Sequence, residues 1–591
     1  MLERDIKDLG EAVYRGKISK YVGKGKSADR AFCGIDTEYD SRTHRLICVS
    51  IWMPEGSDIW KADTLDPLDV RSRIEKILGR SPEEIIALNW FYAAETQHIP
   101  STAFDWTRLA EYGTAYDFAL SEDIWLVDIS RYFASEKSRA LKYVAKKFGL
   151  EKLDYDTEHV TPSCWNDPKF RDYAVNDSRI VYKIFEIIRE RFAKATGVDL
   201  FQAKTLAGLA SRYYRSGLDH HIVSTDAPGR HEALLSYWGG RSEALYRGVF
   251  SKQVELDRKS AYPNSVVHLA KLPVGIKQVS ANEFLDAPMG WCRASFEFPA
   301  DTQYPCLPVG SETMLWFPLR GVTHCTLAEI RVALLIGCQV KFLKCYIGSE
   351  YDDTFVEFMR KCITKREETR GTDMEFVWKT LANSSYGKLI QHVNAISIKR
   401  LARLCVKEGC TITDYYRLSR GQQHVIEAQH NYSVRKVQLG AMFCPEWACL
   451  ISGQTRAWLA EGLLKAHKPK YTSTDSIWCD EGSDLGSEWD IKEEGVAIVA
   501  RTRLGSIGNH LASHSIWRKD EAQKILNQFS NGDFKPHEYS VNRARKVKEC
   551  LRMGIPIGTW VDGEMHTGDS RWDGKRILNS DGTTRPVLEI A

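Results

Sequence analysis

Three short segments carry residue types that a purely structural chain has little use for. Val254-Glu-Leu-Asp257-Arg-Lys-Ser260-Ala-Tyr262-Pro263 reads as an apolar strand ending in an aspartate. A turn with Ser260 and Tyr262 follows, and Pro263 stops the strand; taken alone, an aspartate there is most often turn chemistry. Lys379-Thr-Leu-Ala-Asn383-Ser-Ser-Tyr386-Gly387 reads as a helix. Positions 379, 383, 386, 387 and 390 then share one stripe, presenting an ammonium, an amide, an aromatic ring and a side-chain gap. A structural helix gains nothing from that glycine, which costs about 1 kcal/mol against alanine. A surface that meets a triphosphate and a flat base pair uses all four. Tyr471-Thr-Ser-Thr-Asp475-Ser-Ile-Trp-Cys alternates on both sides of Thr474-Asp475, the pattern of a tight β-hairpin with an acid at its tip. Such a tip is usually a solvated turn, but the three segments together complete a chemistry. Phosphoryl transfer onto a 3′-hydroxyl uses two divalent ions about 4 Å apart. Mg²⁺ prefers carboxylate oxygens and substrate phosphates, so Asp257 and Asp475 suffice as protein ligands. Lys379 supplies the positive counterpart.

A second acidic set lies upstream. Asp36-Thr-Glu38 ends an apolar strand, and Tyr173 and Asp177 stand at i and i+4, on one face of a helix. A lone DxE is ordinarily a solvated strand end.

Elements that position these residues are legible in outline. AFCGIDTE, RLICVSIWM, EEIIALNW and WLVDIS read as strands, with helices across 138–150 and 170–192. That order predicts an α/β nuclease-like unit of roughly 170 residues after a basic extension over 1–29. A boundary falls near Gly197, and a larger unit follows, with Gly239-Gly240 marking a close backbone turn and helical periodicity over 326–337 and 354–391. Net charge is only +3, so composition does not announce nucleic-acid binding; Lys17, Lys20, Lys24 and Lys26, and Arg543, Arg545, Lys546, Lys548 and Arg552, form local basic clusters. The 15 cysteines form no CxxC pair, which favours a reducing compartment over disulfides or zinc. No apolar stretch is long enough to span a bilayer and the N-terminus lacks a secretory h-region, so a soluble cytoplasmic protein is expected.

On the three segments the chain resembles the family-B DNA polymerases. Their motif A (DxxSLYP) is matched by Asp257, Ser260, Tyr262 and Pro263, with Ala261 in the leucine place. Motif B (KxxxNSxYG) is matched by Lys379, Asn383, Ser384, Tyr386 and Gly387. Motif C (DTDS) stands as Ser473-Thr474-Asp475-Ser476, with a serine for the first aspartate. The resemblance implies an α/β and α+β multidomain chain: an RNase H-like 3′–5′ exonuclease domain over 30–197, then a right-hand palm, fingers and thumb polymerase over 198–591. It implies two Mg²⁺ (or Mn²⁺) ions per active site, and nucleotide contacts from Ser260, Tyr262, Lys365 (or Arg366), Lys379, Asn383 and Tyr386. Tyr262 would stack under the incoming sugar and exclude a ribose. Ser473 would leave an active enzyme with altered metal preference.

Asp36, Glu38, Tyr173 and Asp177 resemble motifs I and III of the DEDD exonucleases, where four carboxylates hold two metals and a tyrosine orients water. Motif II reads Asn89-Trp90-Phe91-Tyr92-Ala93, with alanine where the third carboxylate stands in the family. Either the exonuclease is impaired, or Glu95, Asp117 or Asp128 fills the place.

The layout is most similar to the protein-primed branch of phages, adenoviruses and linear plasmids. Tyr237-Trp238-Gly239-Gly240 matches its template-gripping YxGG/A element, and Ser452 and Arg456 fall where it has a primer-contacting T/S-x2-A/G-R element. The long stretches between motifs leave room for two insertions, over about 264–350 and 392–435, one to dock a terminal priming protein and one to encircle template. Fingers are expected over about 354–391 and a thumb over about 500–591. The branch's KxY motif has no clean match; Arg501 is the nearest candidate for that DNA contact. Template, primer, dNTPs and a terminal protein are the implied partners, with no membrane, in a viral or mobile-element setting. A DNA-primed replication or repair polymerase and a non-catalytic single-strand DNA-binding relic are the alternatives.

Overall fold

The computed structural model describes residues 17–18, 29–99, 110–112, 115–133, 139–203, 205–219, 221–223, 227–310, 314–513, 516 and 518–590. Of the basic extension, only the strand Lys17–Ile18 and Asp29 fall within these; the strand pairs antiparallel with Ile222–Val223. Lys20, Lys24 and Lys26 lie outside the described residues.

The first unit is built on a seven-stranded sheet in the order 56–61, 46–53, 30–39, 84–89, 124–128, 115–119, 110–112. Its central strand, Arg30–Tyr39, runs antiparallel to Leu46–Met53 and parallel to Glu84–Asn89. The long helix Pro168–Thr196 crosses this sheet. Asp167 caps its start, Pro168 takes the first helical position, and Gly197 ends it in the left-handed region at φ 68°. Gly34 lets helix and sheet approach: a Cβ there would lie 1.9 Å from the Ser178 carbonyl oxygen. The Ser50 hydroxyl fastens the same contact by donating to the Ala174 carbonyl at 2.8 Å. Strand Gly56–Lys61 and helix Pro67–Leu78 were not expected from sequence. That helix buries only Pro67, Val70 and Ile74, too thin a stripe to stand out.

The second unit is centred on another seven-stranded sheet, in the order 241–244, 471–474, 476–480, 248–258, 489–501, 504–507, 510–512. Helix Pro445–Lys465 backs it and is buried on nearly every side. Being buried all round, polar residues such as Glu446 and Arg456 included, it carries no amphipathic period for sequence reading to find. Helices Thr354–Glu368 and Asp373–Ser385 pack against each other and against the helix Ala261–Leu269.

In the chain, the stretch between the helix Ala261–Leu269 and that pair forms a four-stranded antiparallel sheet in the order 272–279, 339–352, 290–297, 320–326. Further on, the hairpin His392–Ile396 and Arg435–Leu439 carries helices Ile398–Glu408, Ile412–Arg417 and Arg420–Gln429.

The C-terminal region does not stand apart. Helix Lys519–Ser530 packs on the central sheet, and hairpin His537–Ala544 and Trp560–Gly568 brackets helix Val547–Met553. Val547, Cys550, Leu551 and Ile557 bury into the core of the first unit. Phe133 of the first unit stacks on Phe376 of the helix pair at 6.1 Å, so the two units share one continuous core.

Candidate active sites

Asp257 lies near the end of the strand Gly248–Arg258, and Asp475 links strands Tyr471–Thr474 and Ser476–Asp480, in the two-residue turn Thr474-Asp475 that the Ser473–Ser476 pair closes. The strands are neighbours: Asp257 pairs with Ser476, and the Arg258 N–H donates to the Asp475 carbonyl at 2.8 Å. Two carboxylates 218 positions apart in the chain thus meet at one end of neighbouring strands in the middle of the sheet. The turn is tight because Thr474 takes φ 61° and the Asp475 N–H donates to the Ser473 carbonyl at 2.7 Å. Gly240 lies directly against it: a Cβ there would be 2.7 Å from Thr474 Cγ2 and 2.8 Å from its Cα. The Tyr237–Gly240 segment is therefore a wall of this site.

Burial, with the Asp257 charge beside it, pushes the Asp475 carboxyl up to about 6. Burial also raises Asp257, against the pull of Lys492. Lys492 Nζ lies 3.2 Å from Asp257 Oδ1 and 3.6 Å from Glu255 Oε1. Glu255, fully buried on the same strand face as Asp257, is bound by His510 Nδ1 at 2.6 Å. Burial raises its pKa, but His510 and Lys492 outweigh it and hold the group low. Sequence reading missed Lys492, Glu255 and His510. Only the i, i+2 spacing of Glu255 and Asp257 could have signalled any of them.

Of the two candidate cations, Arg366 reaches the motif-A turn, its Nη1 donating to Ser260 Oγ at 2.9 Å. Lys365 instead pairs with Glu368 at 2.6 Å on the exposed side of its helix. The Tyr262 and Tyr386 rings stack at 4.5 Å and 5°. Lys379, Asn383 and Gly387 are exposed. The expected single stripe is broken, because the α-helix ends at Ser385 and tightens into a 3₁₀ turn over Tyr386–Ile390, which sends Ile390 toward the core.

Three expected DNA contacts have other work here. Ser452 and Arg456 are buried in the helix Pro445–Lys465. Arg456 Nε pairs with Glu329 at 2.7 Å, and its Nη1 donates to the Trp238 carbonyl at 2.6 Å and that of Gly239 at 3.3 Å. It braces the glycine turn rather than facing solvent. Arg501 Nε donates to the Asp569 carbonyl at 3.2 Å, tying the sheet to the C-terminal region.

The second cluster lies in the first unit. Asp36 and Glu38 project from one face of the strand Arg30–Tyr39, and Asp177 meets them from the helix Pro168–Thr196. One ligand atom from each lies within 4.8 Å of the others. Burial and the Asp177 charge push Asp36 up to about 7, and burial with Asp36 raises Glu38 well above the carboxylate range. Burial raises Asp177 too, opposed by Lys152, which pairs with it directly. Lys152 also lies 3.2 Å from the Tyr173 hydroxyl. Nothing in the spacing of the chain marked this lysine.

The acids considered as replacements at motif II separate cleanly. Asp117 pairs with Arg131. Asp128 accepts from the N–H groups of Phe91 at 3.1 Å, Tyr92 at 3.2 Å and Ser130 at 2.8 Å. It holds a turn in which Phe91 takes φ 75°, a costly conformation for a bulky residue. Neither is free to bind a metal. Glu95 is fully buried and accepts from Asn89 Nδ2 at 2.6 Å.

Comparison with known proteins agrees with this geometry. The sequence profile of a family described as DNA polymerase type B, organellar and viral, matches residues 128–413. The chain is 30% identical over 273 residues to the primer-independent DNA polymerase PolB of Escherichia coli, covering 38% of this chain and 32% of that protein. It is 25% identical over 335 residues to the DNA-directed DNA polymerase of Enterobacteria phage PRD1, covering 53% of this chain and 56% of that one. The matches thus span from a third to just over half of these relatives. Among solved structures, Phi29 DNA polymerase complexed with primer-template DNA and incoming nucleotides superposes with a TM-score of 0.61 at 12% identity, over 93% of this chain and all of that one. An orthorhombic form of the same polymerase gives 0.60 at 13% identity, over 92% of this chain and all of that one. The fold is an exonuclease-type domain followed by palm, fingers and thumb, and the chain resembles the type-B DNA polymerases of organelles and viruses. Among the described residues, no helix is long and apolar enough to cross a membrane.

Proposed function

We propose that this chain is a template-directed DNA polymerase of the protein-primed type-B kind, which adds deoxynucleotides to a 3′-hydroxyl and carries a 3′–5′ exonuclease. The observation that carries the reading is the meeting of Asp257 and Asp475 at one end of neighbouring central strands, with the motif-B tyrosine Tyr386 stacked on Tyr262 of the motif-A turn. Hard oxygen donors whose pKa values are raised by burial suit a divalent cation, and Asp257 and Asp475 would hold it. A pair of Mg²⁺ or Mn²⁺ ions there would stabilise charge on the attacking and leaving oxygens.

The chain's own residues do the rest. Arg366 and Lys379 bind the triphosphate from the fingers, with Arg366 already anchored on Ser260. Tyr262, fixed by stacking on Tyr386, forms the floor beneath the sugar and leaves no room for a 2′-hydroxyl. Asn383 and Gly387 leave an open polar surface for the nascent pair. Arg456 keeps the Tyr237–Gly240 turn pressed on motif C, where it steers the template. In the exonuclease, Tyr173 orients the attacking water beside Asp36, Glu38 and Asp177. All fifteen cysteines are free thiols, which supports work in a reducing compartment such as a cytoplasm.

The test is extension of a labelled primer on singly primed circular DNA with Mg²⁺ or Mn²⁺, using wild type and Asp257→Asn. Extension by wild type alone supports the reading; no extension by either protein refutes it. A relative named primer-independent supports a second reading, synthesis with no supplied primer. Omitting the primer separates the two, and adding a candidate terminal protein tests for labelled product attached to protein.

A further inference from the structure

The central sheet of the second unit carries an irregularity beside its acids. Where the strands Gly248–Arg258 and Trp489–Arg501 pair, Leu256 faces Ile491 but Glu255 faces Glu493, so Lys492 is the extra residue of a β-bulge. A bulge breaks the ladder locally and re-aims a side chain. Here the re-aimed side chain is a lysine. Its ammonium lies 3.2 Å from Asp257 Oδ1 and 3.6 Å from Glu255 Oε1, bridging two acids that stand at i and i+2 on one face of the neighbouring strand.

Glu255 anchors this arrangement. It is wholly buried, and His510 Nδ1 holds its Oε2 at 2.6 Å, whereas Oε1 is buried with no hydrogen-bond partner. The Lys492 side chain is 47% exposed, so its flexible stem has room to move on the solvent side. The cations that follow Asp257 in the chain are engaged elsewhere. Arg258 stacks on the Trp458 ring at 3.8 Å, and Lys259 reaches Asp490 at 3.1 Å and the Ser487 carbonyl at 2.7 Å.

A divalent cation and Lys492 compete for Asp257. At equal distance the dication attracts the carboxylate with double the charge, so the ammonium gives way and is then repelled by the ion. Glu255 keeps it in the cleft. The anion that arrives there is the primer: a 3′-hydroxyl presented to a cation on Asp257 and Asp475 brings the last phosphodiester of its own strand with it. A compact ammonium on a flexible stem meets such a phosphate as a point charge.

We propose that Lys492 binds the last phosphodiester of the primer and is parked on Asp257 until a divalent cation displaces it. Glu255, held by His510, is then the positioning residue that keeps the ammonium in the cleft. The inference rests on the polymerase reading above.

The test is a cycle of protein and substrate changes on the full-length chain. An Asp36→Asn background keeps primer ends intact. Fluorescence anisotropy reads the affinity for a primer-template whose primer ends in a dideoxynucleotide, with its last phosphodiester either natural or an uncharged methylphosphonate. With Mg²⁺, the methylphosphonate should weaken binding roughly 10-fold when Lys492 is present, and Lys492→Met should abolish that penalty. Lys492→Arg should restore part of it. Without Mg²⁺ the ammonium stays on Asp257, and the penalty should shrink to about two-fold or less. A methylphosphonate further back in the primer should cost the same with lysine or methionine at 492, which certifies the fold of the variant. An equal penalty at the last linkage in the parent and in Lys492→Met would overturn the assignment of Lys492. A penalty that persists in full without Mg²⁺ would overturn the displacement. A wild type that adds no nucleotide in the extension assay would overturn the polymerase reading and the inference with it.

Discussion

Gly240→Ala is the sharpest single-atom probe of how the palm site is held. The new methyl would meet Thr474 Cγ2 at 2.7 Å and Thr474 Cα at 2.8 Å, where ordinary carbon contacts begin at about 3.5 Å. Thr474 must retreat by roughly 0.7 Å, and Asp475 is the next residue. The retreat has little room. Thr474 is already at φ 61°, and Arg456 clamps the opposite side through the Trp238 and Gly239 carbonyls. Overpacking of this kind costs about 1–3 kcal/mol of stability. The catalytic penalty is larger in proportion, because a displacement near 1 Å at a reacting centre can cost ~10²-fold. We expect single-turnover incorporation at saturating dNTP to fall roughly 10- to 100-fold. Hydrolysis of single-stranded DNA at the distant exonuclease cluster should be unchanged. Adding Thr474→Gly removes two of the three close atoms and relaxes the backbone, so the double variant should recover part of the rate. A Gly240→Ala protein that incorporates at the wild-type rate would refute the claim that this contact sets the position of Asp475.

Ionisation of the acids gives a pH signature. Asp475 has a folded pKa raised to about 6, so its contribution to stability is intact below about 4 and is lost as pH rises through about 6. A divalent cation binds the ionised form, so the Mg²⁺- or Mn²⁺-induced rise in melting temperature should grow between pH 5 and 7, and less so in Asp475→Asn. Lys492→Met removes the ammonium 3.2 Å from Asp257, and the Mg²⁺ concentration for half-maximal extension should fall roughly two- to five-fold; a rise would count against competition between lysine and metal. Ala93→Asp places an unpaired carboxylate in the buried contact with Gly558. It should destabilise by about 2–4 kcal/mol in thermal or denaturant unfolding, with no gain in hydrolysis of DNA.

What could be read from the chain alone follows from where the information resides. Motif B was legible because Asn383 and Gly387 violate what a helix wants, and the hairpin at Asp475 because alternation and turn chemistry are local. Asp36, Glu38 and Asp177 were found by strand and helix periodicity. Long-range contacts were not visible. Lys492 and His510 reach Glu255 and Asp257 through sheet pairings of residues more than 200 apart in sequence, and no local pattern encodes a register. Arg456 was read as a DNA contact from its position in a motif, and only its burial beside Glu329 reveals a brace. Lys365 and Arg366 are adjacent, so sequence could not decide which reaches Ser260; the roughly 100° between neighbours on a helix does. The turn at Phe91, held by the Phe91 and Tyr92 N–H groups donating to Asp128, leaves Ala93 fully buried, and no local pattern in the chain marks it.

Both acid clusters share one construction. Each gathers carboxylates from segments far apart in sequence, and each does so where a glycine removes the atom that would hold them apart. At Gly34 a helix reaches a sheet, bringing Asp177 to Asp36; at Gly240 a loop reaches a hairpin, fixing Asp475 beside Asp257. The chemistry requires the crowding, since acids that raise one another's pKa are the ones a divalent cation stabilises most. Crowding is also what folding opposes, so the approach must be enforced by packing that a larger residue would prevent. Long hydrogen-bonded elements behind each glycine, the helix Pro168–Thr196 and the strand Gly248–Arg258, supply that force. A substitution at either glycine would therefore disturb the acids although neither glycine carries a ligand atom.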